Sequence, residues 1–215
     1  MALSIIDENK DYIVVHKPAG LATQTARLGE KDLVSEVRNH LFLAGDKNSS
    51  VSVINRLDQP VEGLVLIAKN EKAAAILSRQ LTENKIEKYY TATVYGHLQE
   101  KEGTLEDYLV KDGRTNLSRV SSKNDKQAKK AVLEYKVTES DEMTDTVQIH
   151  LITGRHHQIR VQFSNAGFPL LGDRKYGSSA SMEYSNQKGV RTVSLKAYKL
   201  SFMDTLSKER KTYSI

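Results

Sequence analysis

The sequence predicts an α+β fold built on a largely antiparallel sheet, and three features predict it. Short runs rich in β-branched and aromatic residues outnumber stretches with helical apolar spacing. Several of those runs follow one another with only turn residues between them, as hairpin neighbours do. The helical stretches are few and each carries its own cap signal.

Taken in order, Tyr12 to Val15 reads as a strand broken by Lys-Pro-Ala-Gly. Asp32 is placed to cap a helix whose Leu33, Val37 and Leu41 repeat at four-residue spacing. Val51 to Ile54 and Leu64 to Ala68 read as two strands joined through a tight segment, Asn55 to Gly63. Asn70 caps a second helix, with Ala73, Ala74, Leu77 and Leu81 along one face. Four strands follow: Tyr89 to Tyr95, Thr104 to Val110, Ala131 to Val137 and Thr146 to Ile152. His157 to Ala166 reads as a helix with Ile159 and Phe163 inward and Gly167 at its stop, and Val193 to Phe202 as a last strand. No internal repeat, low-complexity tract or long linker divides the 215 residues, which suit one domain or two subdomains sharing a core.

Composition narrows the function classes. There is no Cys, which excludes disulfides and thiolate metal sites and fits a reducing cytoplasm. The N-terminal MALSIIDENK shows no signal-peptide pattern, and the longest apolar run, Leu64 to Ala68, is too short for a transmembrane helix. A cytoplasmic protein is the expectation. The net charge of +5 and pI near 9.2 lean towards polyanionic partners. Arg114, Arg119, Lys123, Lys126, Lys129 and Lys130, opposed by Asp125, read as an exposed basic loop, either a solvated connector or a phosphate-contacting arm.

The three prolines, Pro18, Pro60 and Pro169, each stand near a Gly and charged residues, and rigid charged turns are where loops hold functional groups. In VSVINRLDQPVEGLVLIAKN, Asp58 is either a turn former or a carboxylate kept ionised by a cation such as Arg56 for nucleophilic work at a sugar carbon. In LITGRHHQIRVQFSNAGFPLLGDRKYG, Arg155 and Arg160 flank a helix start. Arg160 either lies on a solvent face or is buried and needs a carboxylate, with Asp58 as a candidate. His150, His156 and His157 invite a metal, but adjacent histidines seldom share one ion and no carboxylate is near in sequence, so no metal is expected. In KYYTATVYGHL, Tyr89 and Tyr90 point to opposite faces of a strand, so at most one faces a site.

Together these segments resemble the RluA-type pseudouridine synthases. Asn55 to Lys69 is similar to the family's His-Arg-Leu-Asp, two variable residues, then Thr-Ser-Gly-Leu and an apolar strand to Ala-Lys. Gly154 to Gly177 is similar to Gly-Arg-Thr-His-Gln-Ile-Arg-Val running on to Gly-Asp and Tyr-Gly. Lys88 to Val94 resembles the Lys-x-Tyr-x-Ala-x-Val strand, His16 to Leu21 the Asn-Lys-Pro-Ala-Gly-Leu turn, and Leu195 to Phe202 the closing strand.

The resemblance implies an isomerase that converts uridine to pseudouridine in rRNA or tRNA. It implies a mixed, mainly antiparallel sheet shared by two subdomains, with the active site in a cleft between them. Asp58 would be catalytic, Tyr90 beside it on the nucleoside, and Arg160 the cation paired with Asp58. Arg56 would contact the RNA backbone or fill the space of the flipped base. Leu57, Gly63 and Ile159 would shape the pocket, and Arg155 would help to bind substrate. No cofactor, a monomeric state and no N-terminal accessory RNA-binding domain are the further expectations. Asn55 stands for the family's His, Val61-Glu62 for Thr-Ser, and His156 for Thr. Glu62 adds a negative charge near Asp58 that Arg56 or Arg160 would have to offset. Two other classes compete: an RNA-binding assembly factor without catalysis, and a metal-dependent hydrolase using the histidines.

Overall fold

The computed structural model describes residues 3–25, 29–46 and 49–215; Met1 and Ala2, which open the MALSIIDENK stretch, lie outside them. The first elements are β1 (Ser4–Glu8), β2 (Tyr12–Lys17), α1 (Leu33–Leu43), β3 (Ser52–Val53), β4 (Glu62–Ala68) and α2 (Glu71–Thr82). Then come β5 (Glu87–Tyr95), β6 (Glu102–Asp112), β7 (Leu117–Ser121), β8 (Lys129–Ser140) and β9 (Thr144–Leu151). The chain ends with α3 (Gln158–Asn165), α4 (Ser179–Gln187), β10 (Leu195–Met203) and β11 (Arg210–Ser214). It forms two compact units, residues 1–87 with 197–215, and residues 88–196.

In the first unit β2 pairs antiparallel with both β1 and β4, while β10 neighbours β4 and carries β11 on its far side. Tyr12 and Val14 share a core with Leu64, Leu66, Ala73, Leu77, Leu200 and Phe202. Ile13, Val15, Val65 and Ile67, alternating with them, are equally buried. Both faces of the sheet are therefore covered, which explains why residues 64–68 read as an unbroken apolar run rather than an alternation. Both first-unit helices start as their caps predict. Asp32 accepts from Ser35 N at 2.7 Å while Ser35 Oγ accepts from Asp32 N, and Asn70 accepts from Ala73 N at 2.9 Å.

Gly63 marks the tightest approach in this unit. Its φ is +136°, and a Cβ there would stand 2.4 Å from the Ala197 carbonyl oxygen. A side chain would have to force β10 away from β4. Gly63→Ala is expected to cost about 2–4 kcal/mol, read as a lowered denaturant midpoint with an unchanged slope.

The second unit orders its strands β5-β9-β8-β6-β7, with antiparallel ladders throughout. The stretch expected as a basic loop is partly strand. β7 pairs with β6 from Tyr108↔Ser121 to Asp112↔Leu117, and Lys129 and Lys130 already belong to β8. The turn closes through Asn116 with a left-handed φ of 52°, a conformation Asn tolerates, and β7 is too short for its alternation to stand out. Helix α4 escapes sequence reading for a different reason: it buries Ser181 and Ser185. Ser185 Oγ donates to Ser181 O and accepts from Gly172 N, so its inward face is polar and satisfied.

Helix α3 is buried at six successive residues, Gln158 to Phe163. Its polar members are fastened. Gln158 accepts from Thr153 Oγ1 and Arg155 N and donates to Val132 O, while Gln162 donates to Asp107 Oδ2 at 2.8 Å. A helix submerged in this way leaves its side chains little rotamer freedom, and Arg160 is one of them.

Candidate active site

Asp58 lies in the turn between β3 and β4, partly exposed, with the buried Leu57 before it and the buried Val61 after it. Its backbone carbonyl accepts from Val61 N at 3.0 Å. The buried Asn55, where the family pattern has His, holds the base of the turn by donating to Leu64 O and accepting from Leu66 N at 2.7 Å. Thr23 Oγ1 donates to Leu57 O at 2.8 Å, tying the turn to the residues that follow Gly20.

The cation that organises this turn is Lys17. It is fully buried, and its ammonium donates to the carbonyls of Pro18, Leu21 and Gln59 at 3.0, 2.7 and 3.2 Å. All three donors of the group are thereby engaged. Burial pulls the Lys17 pKa from the usual 10.5 down to about 8, against the attraction of Asp58 and Glu62. Lys17 is thus one charge of this unit that attracts Asp58 and Glu62, and Arg56 is exposed. Sequence reading missed Lys17, although it sits inside the Lys-Pro-Ala-Gly turn, because its partners lie up to 42 residues away.

The second unit presents the other predicted residues. β5 alternates strictly in burial. Tyr90 is on the buried face with Lys88, Ala92 and Val94, and Tyr89 is on the other, stacked on His150 at 4.6 Å. Arg160 is 4% exposed and donates from Nε and Nη2 to the two carboxylate oxygens of Asp173, both at 2.7 Å. The carboxylate that a buried Arg160 requires within its own unit is therefore Asp173, which sequence reading did not single out. Asp173 also accepts from the backbone of Lys175 and Tyr176. The Arg160 guanidinium lies 5.1 Å from the centre of the Tyr176 ring. Ile159 is buried, and Arg155 is exposed with Nε donating to Lys130 O at 2.9 Å.

The three histidines that invite a metal, His150, His156 and His157, are engaged in hydrogen bonds. His156 shares one with Ser118 Oγ at 2.8 Å, His157 with Tyr176 Oη at 2.7 Å, and His150 with Glu134 at 3.1 Å. Among the described residues no group of three or more His, Cys, Asp or Glu is placed to hold a metal, and no helix is long and apolar enough to cross a membrane.

Residues 11–165 match the RNA pseudouridylate synthase family. The chain is 32% identical over 182 residues to the "Uncharacterized RNA pseudouridine synthase YhcT" of Bacillus subtilis, covering 84% of this chain and 59% of that protein. It is 30% identical over 203 residues to the "Dual-specificity RNA pseudouridine synthase RluA" of Vibrio parahaemolyticus, covering 92% and 76%. With the "Ribosomal large subunit pseudouridine synthase C" of Rickettsia bellii the identity is 33%, covering 84% and 59%. The chain thus spans about three fifths of the length of several of these relatives. A solved structure of "Human RNA Pseudouridylate Synthase Domain Containing 1" shares the fold, with a TM-score of 0.79 over 99% of this chain and 82% of that one at 23% identity. The family match, the relatives and the shared fold agree, and the chain belongs to the RluA-type RNA pseudouridine synthases.

Proposed function

We propose that this protein isomerises uridine to pseudouridine at a specific site in structured rRNA or tRNA, with Asp58 acting at C1′ of the flipped nucleotide. Membership of the family supports the reaction class. The observation that carries the assignment of Asp58 is its setting: a partly exposed carboxylate on a turn whose backbone is gathered by a buried ammonium. A turn built only to reverse the chain has no need of a buried charge, which is costly to desolvate.

The reaction breaks the uridine N1–C1′ bond, turns the uracil, and joins C5 to C1′; the C5 proton is released and N1 gains one. Asp58 either attacks C1′, giving a covalent intermediate, or assists elimination to a glycal, and both routes need the ionised carboxylate. The target base must leave its stack, at a cost of a few kcal/mol that loops and single strands reduce. Tyr90 stacks on the uracil or takes a proton in the closing steps. Arg160 acts as the cation, oriented by Asp173. Arg56 meets the RNA backbone or fills the space of the extruded base, Arg155 contributes to RNA binding, and Leu57, Gly63 and Ile159 shape the walls. The proposed setting for all of this is the cytoplasm, where rRNA and tRNA are found.

Release of tritium from ribosomal RNA and tRNA labelled at uridine C5 tests the reading. Time-dependent release is expected from one of the two. Silence on both, with the protein folded and bound to RNA, would move the assignment to an assembly factor.

Lys17 adds a pH dependence. The folded protein gives up this proton near pH 8 and the unfolded chain only near 10.5. Between those values the unfolded chain binds more protons, so the contribution of Lys17 to stability rises with pH across the window. Turnover runs the other way, because a neutral amine holds the Asp58 turn with fewer and weaker hydrogen bonds. Activity is expected to fall above about pH 8 without an accompanying fall in melting temperature. A rate profile flat to pH 9.5 would refute this.

A further inference from the structure

Lys88 is buried on β5, two residues ahead of Tyr90 and on the same face, with 7% of its surface exposed. Among the described residues the only charged group acting on its ammonium is Arg155, and no carboxylate or hydrogen bond offsets its burial. Burial and the nearby Arg155 both push its pKa down. The Lys88 Nζ stands 3.5 Å from where a Cβ on Gly154 would be, so the missing side chain leaves that approach open. The side chain is mostly buried while its ammonium still reaches solvent, and a partly desolvated cation with no carboxylate beside it favours an anionic ligand.

Gly154 and Arg155 continue into a cleft of about 380 Å³ whose other walls include Lys111, Lys129, His156 and Ser118; no carboxylate lines it. Lys111 and Lys129 are exposed, and β6 pairs them with the strand neighbours Ser118 and Leu109. Arg155 is held by Lys130 O and His156 by Ser118, so two of the cleft's basic side chains are oriented in advance. Tyr90 is in register with Ile149, and Ile149 with Tyr135 of β8, six residues along from Lys129. At ~3.3 Å per residue that sets the cleft roughly 20 Å from Tyr90, with Lys88 and Gly154 on the way.

We propose that Lys88, Arg155, Lys129 and Lys111 form a phosphate track that leads a single RNA strand from the nucleotide at Tyr90 across the second unit. The inference rests on the synthase reading for what occupies Tyr90 and goes beyond it in assigning the path of the flanking strand. Phosphate contacts of this kind fix the position of an RNA without reading its bases.

The test is the salt dependence of binding to a fluorescein-labelled twelve-nucleotide oligouridylate. Each lost phosphate contact lowers the slope of log K against log salt by about 0.7 for a single strand. Lys111→Gln with Lys129→Gln is expected to lower it by about 1.4, and Lys88→Met by about a further 0.7. The control pair Lys101→Gln with Lys136→Gln removes two exposed charges at the opposite end of β6 and β8 and is expected to leave the slope unchanged. A slope unaffected by the cleft pair, or lowered equally by the control pair, would overturn the track. Without RNA, Lys88→Met is expected to melt no lower than wild type; a lower melting point or a failure to fold would show a structural partner for Lys88 and overturn its assignment. Tritium release, measured alongside, separates the two readings. A shifted slope without release keeps the track and removes the synthase reading, while release with an unshifted slope does the reverse.

Discussion

Asp58→Asn is expected to reduce tritium release by more than about 10⁴-fold while leaving RNA affinity within roughly a factor of two. The amide is close in shape to the carboxylate, and one turn contact made by residue 58, its carbonyl accepting from Val61 N, is a backbone bond that survives the exchange. What is lost is chemical: a neutral amide neither attacks C1′ nor stabilises positive charge developing there. Lys17 meanwhile loses one of its two attractive carboxylates and keeps Glu62. The variant is therefore expected to show its Lys17 transition at lower pH than wild type, which stability curves across pH 6–10 would reveal. Single-turnover kinetics and a binding titration on the same RNA preparation would separate chemistry from affinity.

The second large effect concerns Asp173. Replacing it by Ala removes both hydrogen bonds to Arg160 and the acceptor for the backbone of Lys175 and Tyr176. Breaking a buried ion pair from one side typically costs about 3–5 kcal/mol, because the surviving charge stays buried with poorer compensation. For a chain of this length that corresponds to a fall in melting temperature of about 10 °C. Activity is expected to fall more steeply than stability requires, since Arg160 is the side chain Asp173 orients. Replacing both partners, Arg160→Met with Asp173→Leu, is expected to recover much of the stability and none of the turnover. A double variant as unstable as Asp173→Ala would mean that the turn after residue 173, and not the ion pair, carries the effect.

The parts of the fold legible in the sequence are those that signal locally. Asp32 and Asn70 announce their helices within three residues, and β5 shows its period of two directly. Elements whose stability comes from elsewhere leave little trace. β7 is five residues that take their place from β6, and α4 turns serines inward, so apolar periodicity has nothing to detect. The candidate site divides in the same way. The motif segments marked Asp58, Tyr90 and Arg160, and the strand alternation that separates Tyr89 from Tyr90 is visible in the sequence. The partners that position them were not legible. Lys17 gathers Gln59 from 42 residues away, and Arg160 meets Asp173 across 13. Both partners lie inside segments that resemble the family, yet a motif names residues without saying which of them touch. Lys88 shows the limit most clearly: in sequence it opens a strand motif that gives it no role, and in the fold it is a mostly buried lysine on the face of Tyr90.

The most direct measurement is nucleoside analysis of RNA incubated with wild type and with Asp58→Asn. Isomerisation leaves the mass unchanged and converts the N-glycosidic bond to a C-glycosidic one, so pseudouridine separates from uridine by chromatography at equal mass. Pseudouridine is expected at a defined uridine with wild type and none with Asp58→Asn. No pseudouridine from wild type on either rRNA or tRNA, or equal amounts from both proteins, would contradict this.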